Sequence, residues 1–346
     1  MGRQKRTSIK SGGLGATGTW LVILLVLASA AAATGWLAVV PFGPETGTFV
    51  EIAPGESSAQ IARQLEEAGV IRSRFVFDLY RWVKRGKLEA GEYLFDHPAP
   101  MFEVYARIER GDIYTRTLVV PEGANIFDIG ERLAAAGLGT EDEFLKAQAA
   151  DVDLIHDLDP KATSLEGYLF PDTYRFTRQE SMDQILSRMV DQFRKEAAKL
   201  GLSGNVHNVV TMASLVERET AVNGERPIVA SVFENRLKKG MPLATDPSVI
   251  YGLELAGDWR GKIYESDLKR NTPYNTYLHA GLPPGPIANP GLRSLKAAMH
   301  PAQTKYLYFV AAGTNPQGKS LFASTLAQHT RNVAGYRKAI KKAGEQ

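Results

Sequence analysis

The stretch "TMASLVERETA", residues 211–221, carries two carboxyl groups on a segment able to aim them. Ala, Met, Leu and Glu favour helix, and no Gly or Pro interrupts the run. At about 100° per residue, Val209, Met212, Ala213, Val216 and Thr220 share one face. Glu217 falls at one margin of that face, between Val210, Ala213 and Ala221, while Glu219 falls at the other and Arg218 points directly away. A carboxyl partly shielded by apolar neighbours has its charged form disfavoured, which suits proton donation to a glycosidic oxygen. The alternative is a helix-face Glu paired with Arg218 or Lys199.

Glycosidases ordinarily use two carboxyls, one as acid and one as base or nucleophile. Glu219, Glu166 and Asp246 are the available partners for Glu217. Glu219 lies roughly 160° round the helix from Glu217, so the two cannot face one bond. Glu166 and Asp246 come from other segments and could approach. The stretch from Asn271 to Asn289 is a loop stiffened by Pro273, Pro283, Pro284 and Pro286. It offers Asn271, Tyr274, Asn275, Tyr277 and His279, side chains that hydrogen-bond hydroxyls and stack on sugar rings. A stiff, weakly charged, aromatic loop fits a neutral polar polymer such as a glycan; the alternative is a braced crossover between core elements.

The elements that must position these groups follow from the rest of the chain. Its 346 residues suffice for more than one domain. The net charge is +3, but Arg3, Lys5, Arg6 and Lys10 all precede the first acid, Glu45, and the remainder is near neutral. A nucleic-acid binder would keep its basic excess in the folded part, so nucleic acid is set aside. "WLVILLVLASAAAATGWLAVV", residues 20–40, contains no charge and is long enough to cross a bilayer. The basic flank predicts a cytoplasmic tail over 1–19, a transmembrane helix over 20–40 and an extracytoplasmic remainder, consistent with the inner membrane. A cleaved signal peptide is the alternative, since "LASAAAA" offers A-x-A sites. The chain has no cysteine, which excludes disulfides and thiol chemistry, and its six histidines are scattered without metal-site spacing. No cofactor is expected.

A repeat follows the anchor. "FVEIAPGESSAQIARQLEEAGV" and "TLVVPEGANIFDIGERLAAAGL" align without a gap, each reading strand, turn, then a helix stopped by Gly. Between them, "RFVFDLYRWVKRG" and "APMFEVYARIERGD" read as helices and "AGEYLF" as a strand. The region 41–150 is thus a linker and an α+β domain whose strand–helix–helix–strand order looks like LysM, with Phe75, Leu79 and Trp82 expected in its core. A second α+β domain is expected over 151–346. Its helices run from about Met182 to Leu200, over residues 211–221, after Pro227, and from Asp246 as N-cap with Pro247 at the first helical position.

"LEGYLFPDTY", "MASLVERETA", "ASVFENRLKKGMPLATDPSVIYG", "YNTYLHAGLPPGPIANPGLRSLKAAMHPA" and "YLYFVA" follow one another in an order and spacing that resembles the MltG/YceG family. The resemblance covers nearly everything after Phe49. It implies a membrane-anchored endolytic transglycosylase, a carbon–oxygen lyase acting on nascent peptidoglycan strands, with a functional link to peptidoglycan synthases or penicillin-binding proteins. By the resemblance the catalytic acid is the first Glu of "VERET", Glu217, and Glu166, Asp246, Asn275 and Tyr277 are substrate-groove residues. Ala244 and Ser248 stand where many members carry Gln and Thr, which bears on a substrate contact. A lytic transglycosylase needs one carboxyl, because the muramic 6-hydroxyl attacks its own anomeric carbon and closes a 1,6-anhydro ring. The rival expectations are a water-using muramidase with Glu166 or Asp246 as second carboxylate, and a non-catalytic wall-binding adaptor.

Overall fold

A computed structural model describes residues 16–313 and 318–344. The basic residues that orient the expected tail, Arg3 to Lys10, lie outside the described residues. Helix α1 (Ala16–Val39) contains an apolar span, Gly18–Val39, long enough to cross a membrane, and none of that span is buried by the protein.

The chain divides between Thr115 and Arg116, well before the boundary expected at 150. The first unit continues from α1 with β1 (Thr48–Ile52), α2 (Ser58–Glu67), α3 (Arg74–Lys84), β2 (Gly91–Phe95) and α4 (Met101–Arg110). Strands β1 and β2 pair antiparallel, Val50 opposite Tyr93. Ile61, Leu65, Phe77, Tyr93, Tyr105 and Ile108 form the core, and Leu37 and Ala38 of α1 pack against it. Phe75, Leu79 and Trp82 are not in that core: they are 71, 51 and 69 % exposed, with neighbouring Val83 at 65 %. The helix buries Val76 and Phe77 instead, because its apolar arc is wider than α2 and α4 cover.

The second unit begins with the second copy of the repeat. Strand β3 (Arg116–Val119), α5 (Ile126–Ala135) and α6 (Glu141–Ala150) precede β4 (Thr173–Phe176). Antiparallel pairing of Leu118 with Tyr174 ties β3 across more than fifty residues to β4, and this draws the repeat into the later unit. The copies match locally: each helix starts with a capping box, Ser57 with Gln60 and Asn125 with Asp128. Each then stops at a Gly of positive φ, Gly69 at 69° and Gly137 at 71°. Ile61 and Leu65 in one, Ile129 and Leu133 in the other, are buried.

Helices α7 (Met182–Leu200), α8 (Val206–Glu219), α9 (Arg226–Lys238), α10 (Asp246–Leu255), α11 (Glu265–Leu268) and α12 (Leu292–Met299) follow. The hairpin β5 (Tyr308–Ala311) with β6 (Ser320–Ala323) and helix α13 (Leu326–Gly344) end the chain. Helix α8 lies against α9, α10 and α12. Every residue from Val210 to Val216 is buried, so between its first and last turns it has no solvent face. Among the described residues the architecture is α+β, the strands forming three antiparallel pairs between packed helices.

Candidate active site

Because the middle of α8 is buried all round, its two terminal carboxyls are delivered to different sides of one packed rod. The helix ends at Glu219, where Thr220 turns extended. Glu219 opens into a groove of about 470 Å³ walled by Arg236, Ala244, Asp246, Tyr277, Tyr308 and His329. A second hollow of about 330 Å³, lined by Thr220, Val222, Val310 and Ser320, also reaches Glu219. Glu219 and Phe309 line both hollows.

Desolvation dominates the electrostatics at Glu219. Protein crowds the carboxyl on its closed sides and pushes its pKa up to about 7, against the opposing effect of the Thr245 hydroxyl; Asp246 raises it further, and Arg236 opposes weakly. Arg236 closes no ion pair with it, because its guanidinium donates to the carbonyls of Leu307 at 2.7 Å and Leu243 at 2.6 Å. Asp246 is not the N-cap of α10; Thr245 holds that position, and Asp246 sits in the first turn. Its carboxylate is therefore directed away from the cap, and Oδ1 accepts from the Tyr277 hydroxyl at 2.6 Å. Burial, reinforced by that hydrogen bond to Asp246, raises the Tyr277 pKa, so the phenol keeps its proton.

Glu217 is elsewhere. Its Oε1 accepts from Arg226 Nη2 at 2.6 Å and its Oε2 from the Gly291 amide at 2.9 Å. The two side chains are 4 and 5 % exposed. Arg226 also donates to Ser294 Oγ and Asn223, which joins α8, α9 and α12 at one buried point. The helix ends before Ala221, which is exposed, so the expected apolar ring is incomplete, and a guanidinium nine positions on takes the Glu217 carboxylate. The partner is thus neither Arg218 nor Lys199, the cations expected from the sequence.

Glu166 is buried at the beginning of α5, not in the groove. Its oxygens accept from the Ile126 amide and Asn289 Nδ2, both at 2.9 Å. Burial pushes its pKa up to about 8 in spite of those bonds. Beside it, Gly167 has φ 90°, and an added Cβ would meet Pro286 at 2.6 Å. The proline loop can close onto this turn only where that side chain is missing.

Asn275 is likewise a brace. Its amide donates to the carbonyls of Leu268 and Arg270 and accepts from the Tyr277 amide, and the side chain is buried. Of the expected groove residues, Asp246 and Tyr277 come together with Glu219, while Asn275 acts behind Tyr277. Asn275→Ala should therefore lower the melting temperature by several degrees, since two carbonyls lose a donor. Tyr277→Phe should leave that midpoint nearly unchanged and reduce turnover. Parallel melting curves and rates separate the two roles.

Ser248 is buried, donating to the Thr245 carbonyl and meeting Thr276, so this departure from the family pattern touches no groove wall. Ala244 does line the groove, with a left-handed φ of 47°. Arg236, Tyr308 and His329 escaped the sequence reading. His329 stacks on Tyr308 at 5.1 Å, and burial, helped by Arg236, lowers its pKa. Arg236 comes from α9, whereas only the hairpin pairing and the return of α13 bring Tyr308 and His329 to the groove.

Comparison with known proteins gives a concordant result. A family model described as the YceG-like family matches residues 50–335. The chain is 34 % identical over 320 residues to an endolytic murein transglycosylase of Bacillus subtilis, covering 84 % of this chain and 85 % of that protein. It is 28 % identical over 325 residues to one of Streptococcus pneumoniae, covering 82 % of this chain but 57 % of that longer protein. A crystal structure of a yceG-like protein from Listeria monocytogenes superposes with a TM-score of 0.54 at 34 % identity, over 83 % of this chain and 99 % of that one.

Proposed function

The chain belongs to the YceG-like family, and from that premise we propose that it is an endolytic murein transglycosylase whose acid–base residue is Glu219. The observation that carries the assignment is that Glu219 lines two neighbouring hollows. A strand cut internally must be held on both sides of the broken bond, and a carboxyl lining both hollows is where the bond would lie. Glu217, the acid expected from the resemblance, has both oxygens engaged by donors in a buried clamp.

In the proposed reaction Glu219, protonated up to about pH 7, donates to the glycosidic oxygen as the bond to the muramic anomeric carbon breaks. The muramic 6-hydroxyl attacks that carbon, and the Glu219 carboxylate takes its proton. No water enters, and Glu219 ends as it began. Asp246, oriented by Tyr277, faces the groove as the negative charge that stabilises oxocarbenium character. In water enriched in oxygen-18, newly formed muramic ends should carry no label. Label at those ends would instead support a muramidase.

The raised pKa sets the pH dependence. Activity should fall as pH rises through about 7, as Glu219 loses the proton it must donate. Stability follows the same direction. A carboxyl at about 7 folded and about 4.3 unfolded stabilises the fold fully below the lower value, and that contribution is lost as pH rises through the upper one. Above pH 7, Glu219→Gln should therefore melt higher than wild type by a few degrees. An unchanged or lower midpoint there would contradict this environment.

The same reading takes α1 as a single-pass anchor with the N-terminus cytoplasmic and the catalytic unit outside, in the layer where new strands emerge. It also takes the first unit as LysM-like, on its strand–helix–helix–strand order, and peptidoglycan synthases as functional partners. A reporter fused after Gln346 should be active only outside the cytoplasm.

A further inference from the structure

We infer that α3 is a lipid-docking helix, which lays the first unit against the membrane surface beside its own anchor. The inference rests on reading α1 as membrane-spanning. Phe75, Leu79, Trp82 and Val83 stand at i, i+4, i+7 and i+8, one continuous stripe, and all four are exposed. On the side facing the core, Phe77 and Tyr80 pack on Tyr105 at 5.6 and 5.1 Å, so α3 is fully docked there and its outer stripe is surplus to the fold.

What lies against that stripe is indicated by the anchor. The last turns of α1 pack on both α3 and α4, with Leu37 and Ala38 joined to the first unit's core. Arg72, two residues before α3, donates to the Val40 carbonyl at 2.9 Å and the Pro41 carbonyl at 3.2 Å. Its guanidinium also sits 4.6 Å from the Trp36 ring. Trp36 is itself exposed, near the end of the apolar span, where aromatic residues mark the boundary between hydrocarbon and headgroups. The start of α3 is thereby fixed at the level where the anchor leaves the bilayer.

The charge agrees. From Arg74 to Arg85 the helix and its cap carry Arg74, Arg81, Lys84 and Arg85 against a single acid, Asp78. An apolar stripe of Phe, Leu and Trp with a basic rim is the pattern of a helix lying in the interface of an anionic bilayer. A glycan platform would share the aromatic rings but has no use for Leu79, Val83 or the basic rim.

The test uses the full chain in phosphatidylethanolamine–phosphatidylglycerol vesicles, with Trp20, Trp36 and Trp259 replaced by Phe so that Trp82 alone fluoresces. Lipids brominated on their acyl chains should at least halve Trp82 emission and leave it blue-shifted. F75D/L79D should abolish the quenching while the melting temperature holds, as expected for exposed positions. Trp82 emission that is red, open to aqueous iodide and untouched by bromolipid would overturn the inference. So would emission that shifts only on adding N-acetylglucosamine oligomers, which would assign the stripe to glycan. Resistance to alkaline carbonate extraction reads the anchor separately. A chain that stays in the membrane with Trp82 unquenched sinks the docking helix alone, whereas an extracted chain sinks the anchor and this inference with it.

Discussion

Replacing Glu219 by Gln should remove cleavage while leaving the protein folded and able to hold glycan. Gln keeps the shape of the side chain that lines the two hollows, but it has no transferable proton for the leaving oxygen and no carboxylate for the 6-hydroxyl. General acid–base assistance is typically worth 10²–10⁴-fold, and a residue serving both halves of the reaction should lie at or beyond the top of that range. Asp246→Asn should cost less, since it removes a charge that faces the reaction without moving a proton. Rates of anhydro-muropeptide release, measured beside circular dichroism, separate lost chemistry from lost fold. Retention of more than about a tenth of wild-type activity by Glu219→Gln would remove it from the acid's role, given that range.

Glu217→Gln should fail in the opposite way, through stability. The amide presents one acceptor and one NH₂ group where Arg226 and the Gly291 amide both donate, so one donor meets another. The buried guanidinium loses its close counter-charge and keeps only the half-exposed Glu122 at 3.9 Å, a defect toward the lower end of about 3–5 kcal/mol. For a unit of this size that corresponds to a melting temperature lower by roughly 10 °C. Activity per folded molecule should fall far less than in Glu219→Gln. The partner substitution Arg226→Gln should be as damaging, and the double variant less so than the sum of the two, because the residues share one interaction. Simple addition of the two losses would show that the clamp is not a unit.

The contrast between these two carboxyls shows how far the sequence could be read. Helix α8, its lack of breakers and the opposite aim of Glu217 and Glu219 follow from residue types and a period of 3.6. Which aim meets substrate does not follow, because the middle of α8 is buried on every side and its apolar face names no interior. The decision falls to groups that only tertiary pairing delivers: Arg226 on one side, the β5–β6 hairpin and α13 on the other. The repeat was legible for a related reason, since capping boxes and glycine stops act within a few residues. Its assignment to one domain was not, because the pairing of Leu118 with Tyr174 is long-range. Helix α3 shows the same limit. Its periodicity identified an apolar stripe, but a stripe wider than its cover leaves Phe75 and Trp82 outside. In the proline loop, Tyr277 and Asn275 are two residues apart and equally polar, and only the fold turns one outward and the other onto backbone carbonyls.

The most direct measurement is mass spectrometry of the muropeptides released from purified sacculi by the full-length wild type, Glu219→Gln and Glu217→Gln, each at equal folded concentration below its melting temperature. The account predicts 1,6-anhydro ends, one water lighter than hydrolysed ends, from the wild type and from Glu217→Gln, and none from Glu219→Gln. Anhydro release that survives in Glu219→Gln and disappears in folded Glu217→Gln would contradict it and return the acid to Glu217.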